Sequence, residues 1–241
     1  MNPDLNCDLG EGEPWRVTQA LLTQVTSANV ACGGHAGDDA TMRAVLTEAR
    51  VRGVRVGAHP GMPGGFGRGE LKVTSAELDV LLQEQIRKLA RWAKETAVWL
   101  THVKLHGSLY DAVDRDPELA EVTLRRVWEE VPGGVMFAPA SGCLSRLAKS
   151  CGVLVWAEGF ADRGYRDDGS LVPRGEPGAL LTDPVQVSDR IRDWRETGKI
   201  TTAGGHRLAL PVRTWCVHGD TPGAVELLTR VRQALDLPSR A

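Results

Sequence analysis

The chain has 241 residues, 42% of them hydrophobic and 25% charged, with a formal net charge of −2. That is ordinary for a globular protein and close to the size of an α/β barrel, about 250 residues. The near-neutral balance argues against nucleic acid or an anionic membrane surface as a partner, and no apolar run reaches the ~20 residues that span a bilayer. The N-terminus shows no basic n-region followed by an apolar h-region, so no signal peptide is read. The five cysteines, at 7, 32, 143, 151 and 216, are odd in number and include no C-x-x-C. This fits a reduced, cytoplasmic setting in which Cys7, Cys32 and Cys216 act as small buried apolar groups. Linkers, low-complexity stretches and internal repeats are absent, so residues 1–241 are read as a single domain.

In chain order, Pro3 to Asp8 reads as a first strand ending at Gly10, with Asp4, Asn6 and Asp8 on one face and Leu5 and Cys7 on the other. Residues 15–25 look helical. Ser27 to Cys32 is a second strand, closed by Gly33-Gly34 and followed at once by His35. Asp38 or Asp39 caps a helix with Met42, Val45, Leu46 and Ala49 on one side. Val54 to Ala58 is a third strand, terminated by His59-Pro60. The glycine-rich loop 61–69 follows. Thr74 and Glu77 form a capping box for a long helix that buries Leu78, Leu81, Leu82, Ile86, Leu89 and Ala93. The fourth strand runs into His102-Val-Lys104-Leu-His106 and breaks at Gly107. Asp116-Pro117 opens a helix with Leu119, Val122 and Val127 inward. Val135–Ala138 is strand five, with a helix around 142–150 after it. Val153–Ala157 is strand six, ending at Glu158, and residues 159–180 look irregular. Asp183-Pro184 starts a helix with Val187, Ile191 and Trp194 on one face. Trp215–Val217 is strand seven, ending at His218-Gly219-Asp220, with Thr221-Pro222 capping a last helix through Leu227, Leu228, Val231 and Leu235.

Strand and helix thus alternate seven times, which calls for parallel strands with right-handed crossovers. A doubly wound open sheet and a closed barrel both fit that alternation. The polar residues favour the barrel, because nearly every strand ends in a chemical group: Asp8, His35, His59, Lys104 with His106, Glu158, and His218 with Asp220. In a barrel these ends open onto one mouth. In an open sheet they would cluster at one switch point.

On strand four, His102, Lys104 and His106 share a face, and burying three titratable groups costs free energy unless they do something. Lys104 and His106, nearest the strand end, are the better candidates; His102 lies deeper and reads as structural. A lysine among carboxylates can polarise a carbonyl, or act as a base if desolvation lowers its pKa. Asp4, Asn6 and Asp8 could orient that lysine or bind a metal. Asp8, His35 and His59 could also converge as one carboxylate and two imidazoles on zinc. The 61–69 loop has neither Walker A nor G-x-G-x-x-G spacing. It reads as a lid carrying Arg68 toward a carboxylate. Glu158, Asp162, Arg163, Tyr165, Arg166 and Arg174 form a charged stretch after strand six. His218-Gly219-Asp220, before a helix N-terminus, could hold a substrate carboxylate.

Several stretches taken together resemble the LamB/YcsF family, the A subunits of prokaryotic 5-oxoprolinase. They are Asp4-Leu-Asn-Cys-Asp-Leu-Gly-Glu11, Ser27-Ala-Asn-Val-Ala-Cys32 with His35-Ala-Gly-Asp38, Gly57-Ala-His-Pro-Gly61, and Gly65-Phe-Gly-Arg68. His102–Tyr110, Phe160-Ala-Asp-Arg163 with Leu171-Val-Pro-Arg174, and Cys216-Val-His-Gly-Asp220 complete the set. The family usually has Phe where Gly34 stands, Pro where Leu105 stands and a second Arg where Gly69 stands. The resemblance implies a seven-stranded parallel (β/α) barrel of the glycoside hydrolase/deacetylase type. It also implies ATP-dependent hydrolysis of 5-oxo-L-proline to L-glutamate together with B and C subunits. The chain shows no nucleotide motif, so ATP, with Mg2+, is expected to be handled with those partners.

The site expected from these readings has Asp8, Lys104, His106 and Glu158 as catalytic groups, with Asp8 or Glu158 positioning or deprotonating water. Asn6, His35, His59, Arg68, Arg163, Arg174, His218 and Asp220 are the substrate-binding candidates, with Arg163 or Arg174 clamping the carboxylate. A metal-dependent deacetylase or amidase on the same barrel, and a non-catalytic scaffold, are the rival readings. Oligomeric state, homo-oligomer included, and a bound metal stay open.

Overall fold

The computed structural model describes residues 3–64, 71–140 and 142–238. In chain order the elements are β1 (Asp4–Leu9), α1 (Trp15–Gln24), β2 (Ser27–Ala31), α2 (Asp39–Val51), β3 (Arg55–His59), α3 (Ser75–Glu95), β4 (Leu100–Lys104), α4 (Ser108–Arg115) and α5 (Pro117–Glu130). Then come β5 (Val135–Ala138), α6 (Cys143–Leu147), β6 (Leu154–Phe160), α7 (Pro184–Thr197), β7 (Lys199–Thr201), β8 (Arg207–Ala209), β9 (Thr214–Cys216) and α8 (Ala224–Ala234). The strands β1-β2-β3-β4-β5-β6-β9 close into a barrel, with β9 pairing parallel to both β6 and β1. This is the seven-stranded parallel barrel expected from the alternation and the polar strand ends. No helix among the described residues is long and apolar enough to cross a membrane.

Local signals account for most boundaries. Asp38, rather than Asp39, caps α2 by accepting from the Thr41 amide at 2.7 Å. Thr74 and Glu77 make the reciprocal capping box of α3. Asp116 and Asp183 cap α5 and α7, each with proline in the first turn.

Four features depart from the sequence reading, each with a local cause. Strand β6 continues past Glu158 to Phe160. A Cβ on Gly159 would lie 2.7 Å from Val212 Cγ2 and 2.9 Å from Trp215 Cζ3, so this glycine serves close packing rather than a turn. The turn at Gly107 (φ 55°) leads directly into α4, which buries Leu109, Tyr110 and Val113. Strands β7 and β8 form an antiparallel hairpin outside the barrel, three residues each and too short to leave a periodic signal. Thr221 does not cap α8; its hydroxyl donates to Asp162 at 2.6 Å, and the helix starts after Gly223 in the left-handed region.

The apolar core lies between barrel and helices. Leu5, Cys7 and Leu9 of β1, Val30 of β2, Val56 of β3, Val103 of β4 and Trp215 of β9 face outward and are fully buried. They meet Leu21 and Leu22 of α1, Leu46 of α2, Leu82, Ile86 and Leu89 of α3, and Leu227 and Leu228 of α8. Burying one such side chain is worth about 1.5–3 kcal/mol, so this shell carries most of the stability. The inward positions are mainly polar, where barrel interiors usually hold bulky branched residues.

Candidate active site

Lys104 leaves the end of β4 and crosses the barrel. Its Nζ lies 2.9 Å from Asp8 Oδ1 on β1, 3.1 Å from Glu158 Oε1 on β6 and 3.0 Å from Cys216 Sγ on β9. None of those strands pairs with β4, so the contacts run through the interior. Burial alone would strip the proton from Lys104. The carboxylates of Asp8 and Glu158 overcome that penalty and hold the ammonium well above the ordinary lysine value. Lys104 is therefore a fixed cation and not the lowered-pKa base that its burial made conceivable. Burial likewise works against ionised Asp8, yet His59 and Lys104 hold its carboxyl well below the usual range.

The layer beneath fixes this arrangement. Asn6 donates to Glu158 Oε1 at 3.0 Å and to Thr214 Oγ1 at 2.8 Å. Asn29 donates to Asn6 Oδ1 and to Asp8 Oδ1, both at 2.8 Å. His102 lies flat against Phe137 and shares a 2.8 Å hydrogen bond between Nε2 and Asn29 Oδ1. A Cβ on Gly57 would sit 2.2 Å from the His102 ring, so glycine is what admits that imidazole. Burial pushes His102 down to about 3, so it stays neutral and structural, as its depth implied. At the barrel floor Asp4 accepts from Thr26, Ser27, Thr214 and Arg55. Of the three polar residues on β1, Asn6 and Asp8 orient the lysine, while Asp4 closes the base.

A second cluster sits beside the first, at the mouth. Glu11 Oε1 lies 2.8 Å from His35 Nε2, 3.0 Å from His106 Nδ1 and 3.5 Å from His59 Nε2. The turn that aims Glu11 is held by Glu13, whose carboxylate accepts from the Gly10 and Glu11 amides at 2.8 Å each. His35 stacks on His106 with centroids 3.6 Å apart, and His59 meets both rings edge-on. Burial lowers His35. Burial also opposes charge on His59, but Asp8 and Glu11 outweigh it and raise its pKa. At Gly34 a Cβ would sit 2.1 Å from the Gly61 carbonyl oxygen, so the β2–α2 and β3–α3 turns approach more closely here than any side chain at that position permits.

His218 follows β9. Its Nδ1 lies 3.1 Å from both carboxylate oxygens of Asp162, which also accepts from the His218 amide and the Thr221 hydroxyl. Burial works against ionised Asp162, but His218 and Thr221 keep its carboxyl below the usual range. An imidazole held at Nδ1 presents Nε2 outward, as a general base or acid requires. His218, with 16% of its side chain exposed, and Glu11, with 12%, are the open edge of the site; Lys104 and Glu158 are at 3% and 0%. That edge is the exposed approach to the lysine.

Not every expected residue arrives. His218 is tied to Asp162 and does not form an anion-binding turn with Asp220, which instead pairs with Arg174 at 3.2 Å. Arg163 is turned to the backbone: its guanidinium donates to the Ala179 and Val172 carbonyls at 3.0 and 2.7 Å and braces the 163–180 loop. Arg68 lies outside the described residues. The proposed trio of Asp8, His35 and His59 divides: the two histidines join Glu11 and His106, while Asp8 turns to Lys104.

Sequence reasoning missed Glu11, Asn29, Tyr110 and the Asp162–His218 pair. Strand alternation could have found Asn29, which faces inward like Asn6. It could not have found Glu11, which lies in the turn beyond β1. Tyr110 Oη and Glu158 Oε2 are buried and make no well-formed hydrogen bond among the described residues, although burial and the nearby Glu158 carboxylate push the Tyr110 phenol up.

A family model described as LamB/YcsF family matches residues 3–239. The chain belongs to the LamB/YcsF family. Within it, a protein of Streptomyces avermitilis named as the A subunit of 5-oxoprolinase is 44% identical, the match covering 97% of this chain and 95% of that protein. A Syntrophobacter fumaroxidans protein of the same name is 41% identical over 98% of this chain and 95% of its own length. Among solved structures, the lactam utilization protein of Thermus thermophilus superposes with a TM-score of 0.88 at 34% identity, covering 98% of this chain and 96% of that one. A putative chitinase A from Streptomyces coelicolor, at TM-score 0.55 and 11% identity, shares the barrel fold alone. The LamB/YcsF resemblance of the motifs thus extends over nearly the whole chain.

Proposed function

We propose that this chain is the A component of an ATP-dependent 5-oxoprolinase that opens 5-oxo-L-proline to L-glutamate with B and C subunits. The carrying observation is Lys104, fixed as an ammonium between Asp8 and Glu158 at the closed end of the mouth. The names of the full-length relatives support the substrate class.

A lactam offers a carbonyl acceptor and a ring N–H donor. In this reading the Lys104 ammonium faces the carbonyl side, where negative charge develops. Glu158 Oε2 and Tyr110 Oη supply the polar contacts for the ring N–H. His218, oriented by Asp162, moves the proton between water and the departing nitrogen, and His106 and His59 line the same mouth. Among the described residues, Arg174 offers a cation to the substrate carboxylate once it parts from Asp220.

ATP, with Mg2+, is assigned to the partners. The γ-phosphoryl passes to the lactam oxygen; one water then opens the ring with cleavage of the C–N bond, and a second releases phosphate from the acyl phosphate. The test is glutamate formation from 5-oxoproline by this chain alone and with the B and C subunits, with and without ATP. Turnover that requires all three and ATP is expected. Unchanged turnover by the B and C subunits when this chain is left out would overturn the reading.

A further inference from the structure

The Glu11 cluster is joined by protons on its imidazoles, the place that a bound cation would take. Its four donor atoms all lie within 4.8 Å of one another. The His59 Nδ1–H is committed to the Lys104 carbonyl at 2.8 Å, so Nε2 is the ring atom aimed at Glu11 Oε1 and Asp8 Oδ2, each 3.5 Å away. His106 Nδ1 lies 3.1 Å from the same Nε2. Electron-rich atoms gathered in this way repel unless a proton or a cation lies among them. Next door, where Asp8, Cys216 and His218 also gather, the cation is already present: Lys104 Nζ is 2.9 Å from Asp8 Oδ1 and 3.0 Å from Cys216 Sγ.

The surroundings hold the imidazoles in place. Gln85 of α3 accepts from the Gly61 amide at 3.0 Å and donates to its carbonyl at 2.8 Å. A Cβ on Gly61 would meet His35 Nδ1 at 2.3 Å, so the glycine leaves room for the stacked His35 and His106 rings. The His59 contact to a backbone carbonyl is the kind of outer-shell bond that orients a metal-bound imidazole.

We propose that Glu11 Oε1, His35 Nε2, His59 Nε2 and His106 Nδ1 bind one divalent transition-metal ion of the zinc class. Three imidazoles and one carboxylate suit such borderline ions and are a poor match for magnesium or calcium. Tetrahedral bonds of about 2.0–2.2 Å set donor atoms roughly 3.3–3.6 Å apart. The contacts of 2.8–3.5 Å around Glu11 lie within about half an ångström of that spacing, and the stacked His35 and His106 rings, 3.6 Å apart and nearly parallel, must splay for both to reach one ion. Placed beside Asp8, the ion acts as a Lewis acid toward a carbonyl oxygen at the mouth.

The site is tested on the full chain, stripped with a chelator and titrated with Co2+. The expected result is one equivalent bound, with the intense visible bands of low-coordinate cobalt and no near-ultraviolet thiolate band. Glu11→Gln and His59→Asn, shown to be folded by near-ultraviolet circular dichroism, should each lose affinity by at least roughly 100-fold, the most that an outer-shell partner alone reaches. His206→Asn, at an exposed histidine remote from the cluster, should bind as the parent does. The proposal fails if the folded parent takes up no cobalt with this spectrum, if folded His59→Asn binds like the parent, or if a thiolate band places the ion at Cys216. None of these readouts depends on 5-oxoproline turnover, so the proposal stands or falls apart from the reading above.

Discussion

Two clusters share the mouth of this barrel and solve one electrostatic problem in different ways. Around Lys104, the chain supplies its own cation, and two buried carboxylates compensate it. Around Glu11, the chain supplies three imidazoles and a carboxylate, and protons must do what a cation would do. A buried cation with built-in partners belongs to the fold as much as to the chemistry, whereas a histidine cluster can change its occupant without unfolding. Stability and function should therefore be coupled at the first cluster and separable at the second.

The largest expected effect is at Lys104. Lys104→Met should lower glutamate formation by the full assembly by about 10³-fold or more, in the range that lost charge stabilisation reaches. It should also destabilise the chain by about 3–5 kcal/mol, because Asp8 and Glu158 are left buried and unpaired. Adding Glu158→Gln should restore much of the urea midpoint and none of the activity. Near-normal turnover in the single variant would remove the lysine from the mechanism. Next is Asp162→Asn, which unties His218; a loss of about 10²-fold in kcat with little change in KM is expected, and an unchanged kcat would make the pair merely structural.

The third prediction concerns His102, the imidazole beneath both clusters, held down to about 3 by burial. Its unfolded value is about 6.5. Between those values the unfolded chain binds the extra proton, so stability is full above pH about 6.5 and is lost as pH falls. The total is about 5 kcal/mol over that window. Urea midpoints measured between pH 7 and pH 4 should fall steeply for the parent and less for His102→Gln; parallel slopes would contradict the neutral, structural assignment. By contrast Glu11→Gln, whose amide keeps a hydrogen-bonding oxygen, should move stability by about 1 kcal/mol or less. A loss as large as that of Lys104→Met would erase the distinction between the clusters. Smallest of all is Cys216→Ala: burial pushes the thiol well above its ordinary value despite the neighbouring ammonium, so activity should stay within about 2–3-fold, the loss expected of a bystander contact.

Some features could be read from the sequence because they are local or periodic. The alternation of β and α elements with polar groups at nearly every strand end called for the barrel, Asp116-Pro117 and Thr74–Glu77 marked helix starts, and period-2 alternation placed His102, Lys104 and His106 on the face opposite Val103. That same alternation in β1 separated Asp4, Asn6 and Asp8 from Leu5 and Cys7, and so already described a polar barrel interior backed by an apolar shell. Tertiary structure alone decided which strand ends meet. Side chains 96 and 112 positions away converge on Lys104 only because the barrel closes β9 against β1. His218 could not be matched to Asp162 rather than to nearby Asp220, nor Arg163 to backbone carbonyls rather than to a substrate, because the irregular path of 159–180 sets those contacts. Glu11 joined His35, His59 and His106 for the same reason: its turn leaves the strand, where period and face stop carrying information and only the folded path of the backbone says where a side chain points.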